Sequence, residues 1–392
     1  MDFQNTEYEL SEELIALRDT ARRFAVNEIM PRVAEDEENH RFQGDLVRKM
    51  GELGFFGCPI PEEYGGSNLG FLAHAIVTEE ISRVSGSLRA AFNMQTMGTA
   101  REIYQFGTEA QKQKYIAKLV SAETLGCIGI TEPNAGSDVG SLKTKAVRDG
   151  DNYVLSGSKT WITFTQVADV GVIYAYTDPS RPYKGMSAFI VDMHIKGITT
   201  GPTAMKMGWW ACPTGELHFD EALVPAENLL GGTENRGFEY VMSSLNNTRL
   251  SAAAGAVGAC QGLIDEAIKY AKERVQFGKA IGQFQMVQEE LARMLVETEA
   301  ARLLTYRCAR QKDVGYLHNV RETVMAKYYS CDVASRVADS ALRILGAYGY
   351  SREYPVERLL RDAKLYQILE GSANIGKMII ATDALGYRPA NR

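Results

Sequence analysis

The feature that constrains this chain most is the long helical pattern that begins at Gly237. The segment GFEYVMSSLNNTRLSAAAGAVGACQGLIDEAIKYAKERVQFG keeps helical periodicity as far as Gly278. Small residues occupy its middle, from Ala252 to Ala259, and they permit another helix to pack closely. Two further long helical patterns cover about 284–313 and 318–346. The short connections between them predict a helical bundle with antiparallel neighbours.

Two different patterns precede the bundle. The first part of the chain has helical periodicity, with Ser11 and Thr108 as expected helix caps. Short β-rich segments follow, separated by turn residues, and AVRDGDNYVL predicts a β-hairpin. The sequence therefore predicts an α+β chain with three domains. These are an N-terminal helical domain (1–125), a middle antiparallel β-domain (126–236) and a C-terminal helical bundle domain (237–392).

Charge and composition exclude several classes of function. The net charge of −6 and a pI of about 5.6, without a dominant Lys/Arg cluster, argue against nucleic-acid binding. Six scattered cysteines and five isolated histidines lack the spacing of a metal site, and the cysteines are expected to pack as small apolar residues. The acidic N-terminal segment does not resemble a signal peptide, and no apolar run is long enough to span a membrane. We expect a cytoplasmic protein with no nucleic-acid partner and no membrane insertion.

The C-terminal segment RDAKLYQILEGSANIGKMIIA places one carboxylate, Glu370, among apolar residues. Desolvation would raise its pKa towards neutrality and suit it to act as a base. Gly371 would allow a sharp turn or the close approach of a flat ligand. Ser372 could cap a helix that begins at Ala373. The alternative is a structural glutamate at a helix start, favoured by the helix dipole.

Three other segments have the composition of ligand-binding loops. GITEPNAGSD offers backbone N–H groups and the hydroxyls of Thr131 and Ser137. In SKTWITF, Trp161 could form a wall against a flat ring while Thr163 donates to its edge. In RVQFGKAIGQFQMVQ, Arg274 could hold a phosphate. Each segment also has a structural alternative: the first could be a turn between strands, the second could hold a core tryptophan, and the third could be a loop between bundle helices.

Taken together, these segments resemble the acyl-CoA dehydrogenase family over essentially the whole chain. The motifs that carry the resemblance are TEPNAGSD, KTWIT, VPAENLLG, RVQFGKAIGQFQ and EYPVERLLRDAKLYQILEG. The resemblance implies a helical domain, a β-domain and a four-helix bundle, with FAD in the cleft between the last two. It also implies a homotetramer, an acyl-CoA substrate and reoxidation of the flavin by an electron-transferring flavoprotein.

Matching positions imply which residues hold the FAD. Trp161 and Thr163 would line the isoalloxazine ring, while Thr131 and Ser137 would lie along the flavin and the CoA. The positions that match contacts to the FAD of the adjacent subunit are Arg274, Gln276, Phe277 and Gln285. Arg343 stands where many members have Gln in the strip along the adenine and pyrophosphate of FAD, and Ser372 and Asn374 match FAD contacts just after the base.

The resemblance assigns Glu370 as the base that takes the proton α to the thioester carbonyl. Members that carry the base on an earlier helix would have it near Thr248, where this chain has no carboxylate. Arg249 matches an arginine at the CoA end of the substrate. Leu369 and Gly371 flank the base, and we expect them to contact the substrate.

Arg89 is the residue that indicates which acyl group the substrate carries. In SGSLRAAFNM it resembles the arginine with which the glutaryl-CoA branch of the family binds the distal carboxylate. An arginine that faces an acyl pocket needs an anionic partner, and Asn93, one helical turn on, could assist it. The alternative is an exposed arginine on a helix. Glutaryl-CoA dehydrogenases that also decarboxylate carry Tyr beside the base. Leu369 therefore favours a dehydrogenase of glutaryl-CoA or another dicarboxylyl-CoA that stops at the enoyl product, which is glutaconyl-CoA if the substrate is glutaryl-CoA.

Two other functions stay open. One is dehydrogenation of a cyclic or aryl-substituted acyl-CoA, such as cyclohexanecarboxyl-CoA or benzylsuccinyl-CoA, and the absence of bulky residues beside Glu370 is compatible with a ring. The other is a non-dehydrogenase flavoprotein or scaffold of the same fold. Such proteins usually alter the base, whereas Glu370 and the LEGS segment are intact here.

Overall fold

The computed structural model describes residues 10–391. Residues 1–9 and 392 lie outside the described residues, and with them most of the acidic segment on which the prediction about signal peptides depends. The order of helical, β and helical parts that the sequence predicts is confirmed. The first part contains helices α1 (Glu12–Phe24), α2 (Val33–Glu38), α3 (Gly44–Glu52), α4 (Gly70–Ser82), α5 (Gly86–Asn93), α6 (Arg101–Phe106) and α7 (Glu109–Val120).

Both predicted caps in this part are confirmed. The Ser11 side chain accepts a hydrogen bond from the Leu14 N–H at the start of α1. Thr108 and Gln111 form a reciprocal capping box at the start of α7. These bonds satisfy N–H groups that a helix start leaves without partners, and they explain why the helices begin where they do.

The middle part is a seven-stranded sheet in the order β1-β4-β2-β3-β7-β6, with β5 paired to β4. Its strands are β1 (Gly126–Gly129), β2 (Lys145–Asp149), β3 (Asn152–Thr163), β4 (Val170–Tyr176), β5 (Met186–Asp192), β6 (Ile198–Thr200) and β7 (Thr214–Pro225). Most pairings are antiparallel, as predicted, and the hairpin of β2 with β3 turns at Gly150. The prediction is wrong for β1, which pairs with β4 in parallel, and β2 adds one parallel contact with β4.

The last part contains α8 (Gly237–Glu273), the small hairpin β8 (Val275–Gln276) and β9 (Lys279–Ala280), α9 (Gln285–Asp313), α10 (Val320–Leu345), α11 (Val356–Tyr366) and α12 (Ala373–Ala384). The predicted close packing around the small residues of α8 is confirmed. Residues 252–259 are all buried, and a Cβ added at Gly258 would lie 2.2 Å from the carbonyl oxygen of Glu79. Close approach at this point therefore requires glycine, and it joins α8 to α4.

The cysteines lie in the interior, as expected for small apolar residues. All six are buried and unpaired: Cys58, Cys127, Cys212, Cys260, Cys308 and Cys331. Within residues 10–391, no group of three or more His, Cys, Asp or Glu side chains is arranged to hold a metal ion. No helix in this described part is long and apolar enough to cross a membrane.

Candidate active site

A large cavity lies between the sheet, the N-terminal helices and the bundle, with a volume of about 1660 Å³. It exceeds the roughly 300–1,000 Å³ of a typical site for one small molecule, so it has room for two sizeable ligands. Of the residues predicted from the sequence, the following line it: Arg89, Asn93, Thr131, Ser137, Trp161, Thr163, Arg249, Leu369, Glu370, Gly371 and Ser372. The fold thus brings together predicted side chains from all three parts of the chain.

Glu370 lies in the turn between α11 and α12. Its φ angle is 54° and that of Gly371 is 91°, so two successive residues adopt the left-handed conformation. This conformation is unfavourable for a residue with a Cβ, and glutamate here implies that the surroundings hold the turn. The Ser372 side chain then accepts from the Ile375 N–H and starts α12 at Ala373, which confirms the predicted cap.

The carboxylate of Glu370 has two polar partners. The Thr248 hydroxyl on α8 donates to Oε2 at 2.5 Å, and the Asn93 side-chain amide on α5 donates to Oε1 at 3.4 Å. The predicted apolar surroundings are therefore only part of its environment. Thr248 was missed as a partner by sequence reasoning, since the two residues are 122 positions apart and only the packing of α8 brings them together.

Two buried cations hold the backbone of the same turn. Arg249 Nε on α8 donates to the carbonyl oxygen of Glu370 at 3.2 Å, and Lys327 Nζ on α10 donates to that of Gly371 at 2.6 Å. Burial lowers the pKa of Arg249 and of Lys327. The placement of Arg249 at the CoA end stays a prediction. Lys327 belongs to no motif, and nothing in the sequence signals its role.

Arg89 is buried, with 1% of its surface exposed, so the alternative of an exposed helix arginine is wrong. Its guanidinium lies over the rings of Trp209 and Tyr366, at 5.8 and 5.5 Å from the ring centroids. One NH2 group donates to the Ser251 hydroxyl at 3.3 Å, while Nε has no hydrogen-bond partner. No carboxylate of residues 10–391 forms an ion pair with it. A buried guanidinium without a counter-ion is costly unless a ligand supplies the anion.

The segment that carries Trp209 is held by two buried carboxylates. Asp362 Oδ1 on α11 accepts from the Trp209 N–H at 2.9 Å, and Glu37 Oε2 on α2 accepts from the Trp210 N–H at 2.6 Å. Burial, and then the neighbouring Glu37 carboxylate, raise the pKa of Asp362 to about 7. Helices α2 and α11 thus position the part of the cavity wall that Trp209 forms.

The wall on the sheet side depends on an irregularity in β3. The register with β7 shifts between Lys159 and Ile162, and Trp161 there has a φ of 58°. This bulge turns the indole out of the strand face. The side chain of Trp161 is 59% exposed and lines the cavity, so the alternative of a core tryptophan is wrong. Thr163 lines the same wall at the end of β3.

A buried ion pair fixes the loop that carries Thr131. Lys159 Nζ donates to Glu132 Oε1 at 2.7 Å and to the Ile130 carbonyl at 3.2 Å. Glu132 also accepts from the backbone N–H of Thr144. Burial lowers the pKa of Lys159 to about 8, and Glu132 opposes that shift. The loop is therefore tied to β3, two residues before Trp161.

Comparison with known proteins finds relatives that match all three parts of the chain. Three family models match in order: the N-terminal domain of acyl-CoA dehydrogenase over residues 11–123, its middle domain over 127–222 and its C-terminal domain over 235–385. The glutaryl-CoA dehydrogenase of Desulfococcus multivorans is 52% identical over 390 residues, covering 98% of this chain and 100% of the relative. The chain belongs to the acyl-CoA dehydrogenase family. It is therefore an acyl-CoA dehydrogenase-type, flavin-dependent oxidoreductase that acts on CH–CH bonds.

Other members of the family are also similar to this chain, and their names state different substrates. A solved structure of a glutaryl-coenzyme A dehydrogenase in complex with glutaryl-CoA superimposes with a TM-score of 0.96 at 51% identity, covering 99% of this chain and 98% of that one. The subunit CarC of the caffeyl-CoA reductase-Etf complex of Acetobacterium woodii is 39% identical, covering 95% of this chain and 98% of the relative. Membership of the family therefore leaves the acyl group open.

Six of the predicted FAD-binding residues of this acyl-CoA dehydrogenase lie outside the cavity lining: Arg274, Gln276, Phe277, Gln285, Arg343 and Asn374. The side chain of Phe277, at the tip of the β8–β9 hairpin, is 94% exposed. Arg343 forms ion pairs with Glu290 and Asp339. The contact of Arg274, Gln276, Phe277 and Gln285 with the FAD of an adjacent subunit stays a prediction. The FAD contacts of Arg343 and Asn374 also stay predictions.

Proposed function

We propose that this protein is an FAD-dependent dehydrogenase of a dicarboxylyl-CoA thioester, with glutaryl-CoA as the substrate and glutaconyl-CoA as the product. One observation carries the substrate class. A buried arginine, Arg89, lines the same cavity as the carboxylate of Glu370 and has no anionic partner among the described residues. The carboxylate at the far end of a glutaryl group would supply that partner.

The residues on the sheet side fit a flavin. An exposed indole can stack on a flat heteroaromatic ring, and the hydroxyls of Thr131, Ser137 and Thr163 can bond to polar ring edges and phosphates. The volume of the cavity accommodates such a ring beside an acyl thioester. When bound, the flavin would supply the two-electron oxidant for the C–H bond at the β-carbon.

Glu370 would remove the proton from the α-carbon. Thr248 and Asn93 each bond one carboxylate oxygen, so the side chain is oriented before the substrate arrives. A base held in place avoids the entropic cost of orientation at each turnover. Leu369, beside the base, is apolar and donates no proton, which supports release of the enoyl product with its distal carboxylate retained.

We also propose a homotetramer that passes its electrons to an electron-transferring flavoprotein. No residue of α12 is buried, although the helix is rich in Ile, Ala and Met. Large apolar side chains on α9 are also exposed, among them Met286 at 84% and Val296 at 70%. Such surfaces support burial against other copies of the chain. The name of the Acetobacterium relative, which includes an Etf complex, supports the electron acceptor.

The test is anaerobic mixing of the purified yellow protein with glutaryl-CoA, butyryl-CoA and cyclohexanecarboxyl-CoA. Bleaching of the flavin gives the rate, and the product mass shows whether carbon dioxide is lost. We expect fast bleaching with glutaryl-CoA and a product of the mass of glutaconyl-CoA. Faster bleaching with the cyclic thioester would show that the protein acts on a cyclic acyl-CoA. Absence of bleaching with all three would contradict the dehydrogenase proposal.

A further inference from the structure

The turn that carries the base has an unusual support. Glu370 and Gly371 are both left-handed, with φ angles of 54° and 91°. Each carbonyl is bonded by a buried cation from a different bundle helix, Arg249 from α8 and Lys327 from α10. The backbone of the base is thus held from two sides.

Lys327 is the less expected of the two cations. It is 4% exposed, and its ammonium group donates to the Gly371 carbonyl at 2.6 Å. No carboxylate within residues 10–391 forms an ion pair with it. Burying an ammonium group without an ion pair costs free energy, and the short hydrogen bond to the turn offsets part of that cost.

We propose that Lys327 is a positioning residue for Glu370. Its ammonium group fixes the left-handed turn through the hydrogen bond to the Gly371 carbonyl. This inference rests on the proposed function, because it concerns the proton transfer that Glu370 performs. The physical effect is that the base carboxylate is held at its place in the cavity.

The charged and titratable groups around Lys327 come from several elements. Glu370 lies in the α11–α12 turn, Arg249 on α8, Arg89 on α5 and Cys331 one turn along α10. Burial raises the pKa of Cys331 to about 11, so its thiol stays neutral at ordinary pH. Of the three cations in this group, Arg249 and Lys327 bond to the carbonyl groups of the turn, whereas Arg89 donates to Ser251.

The experiment compares two lysine-to-methionine variants. Lys327→Met removes the ammonium group that bonds the turn. Lys312→Met is the matched control, because Lys312 is 2% exposed, donates to the Asn247 side chain at 3.2 Å and to the Leu317 carbonyl at 3.3 Å, and lies outside the cavity lining. Both holoenzymes are mixed anaerobically with glutaryl-CoA over a range of concentrations up to saturation. The maximal rate of bleaching, the KM and the isotope effect with α-deuterated glutaryl-CoA are measured, together with the melting temperature.

For Lys327→Met we expect bleaching to slow on the order of 10- to 100-fold, the range for a misplaced reacting group. The α-deuterium isotope effect should rise. The KM should change far less than the maximal rate. The control should keep the wild-type isotope effect, whatever happens to its melting temperature.

Two results would overturn the inference. One is a Lys327→Met enzyme with the same isotope effect as the wild type. The other is a loss of rate in both variants that is proportional to the fall in their melting temperatures, because lower stability alone would then explain it. Failure of the proposed function is distinguishable, because the wild-type enzyme would then show no bleaching with any of the acyl-CoA thioesters.

Discussion

Replacing Arg89 by methionine tests the assignment of the substrate. Methionine keeps much of the length and the apolar contact with Trp209 and Tyr366 but removes the guanidinium. Leaving one partner of a buried ion pair without the other costs about 3–5 kcal/mol. At 1.4 kcal/mol for each factor of ten, kcat/KM for glutaryl-CoA should fall by roughly 100-fold to several thousand-fold. Butyryl-CoA has no distal carboxylate, so its kcat/KM should stay the same or rise.

The melting temperature of the ligand-free enzyme gives a second test, in which we expect no loss. Because Arg89 has an unpartnered Nε and no ion pair among the described residues, its replacement by an apolar side chain should not lower the melting temperature. Arg101→Met is the matched control. Arg101 is also buried, with unpartnered nitrogens, and lies over Phe71 and Tyr104 away from the cavity lining.

The assay is anaerobic bleaching over a range of glutaryl-CoA and butyryl-CoA concentrations, for the wild type and both variants. The control should keep the wild-type ratio of the two specificity constants. If Arg89→Met loses activity equally with both thioesters, or spares glutaryl-CoA, the carboxylate-anchor argument is wrong. Arg89 would then be a structural residue, and the cavity would select its substrate by shape.

Three further predictions concern the base, one of its hydrogen bonds and the carboxyl group that holds the Trp209 segment. Glu370→Gln should keep its flavin and its yellow colour but lose bleaching by more than about 1,000-fold, since the amide cannot accept the α-proton; a normal bleaching rate would exclude Glu370 as the base. Thr248→Val should slow bleaching about 5- to 10-fold by removing one of the hydrogen bonds that orient the carboxylate, with unchanged flavin content as the control; an unchanged rate would show that this bond does not matter. For Asp362, the folded pKa of about 7 lies above the unfolded value of about 3.9, so its contribution to stability is lost as pH rises from about 4 to 7. Melting curves should therefore show Asp362→Asn gaining stability relative to the wild type between pH 5 and pH 8, by at most about 4 kcal/mol, and a constant difference would contradict the raised pKa.

Local sequence patterns predicted much of the fold. The caps at Ser11, Thr108 and Ser372 depend on side chains that bond to N–H groups three residues away. The β2–β3 hairpin depends on its turn residues, and Gly150 has the left-handed φ that the turn requires. These signals lie within a few positions of the feature they determine, so a single sequence contains them.

The contacts of the site are of another kind. Glu370 meets Thr248 and Asn93 across 122 and 277 positions, and Lys327 reaches the turn from a helix that has no motif. Such contacts depend on the relative rotation of packed helices, which periodicity does not specify. For Arg89 the sequence left both a buried and an exposed position open, and only the packing around α5 decided between them.

The burial of the six cysteines means that the folded chain contains its own reporters of unfolding. Burial raises the pKa of Cys58, Cys127, Cys260 and Cys308 to about 12 and that of Cys212 and Cys331 to about 11. Only a thiolate reacts readily with an alkylating reagent, so each thiol should react only after its own segment opens. The six lie in separate parts of the chain, from the N-terminal helices through β1 and the Trp209 segment to three bundle helices. Their order of alkylation during slow denaturation would show which part of the molecule opens first.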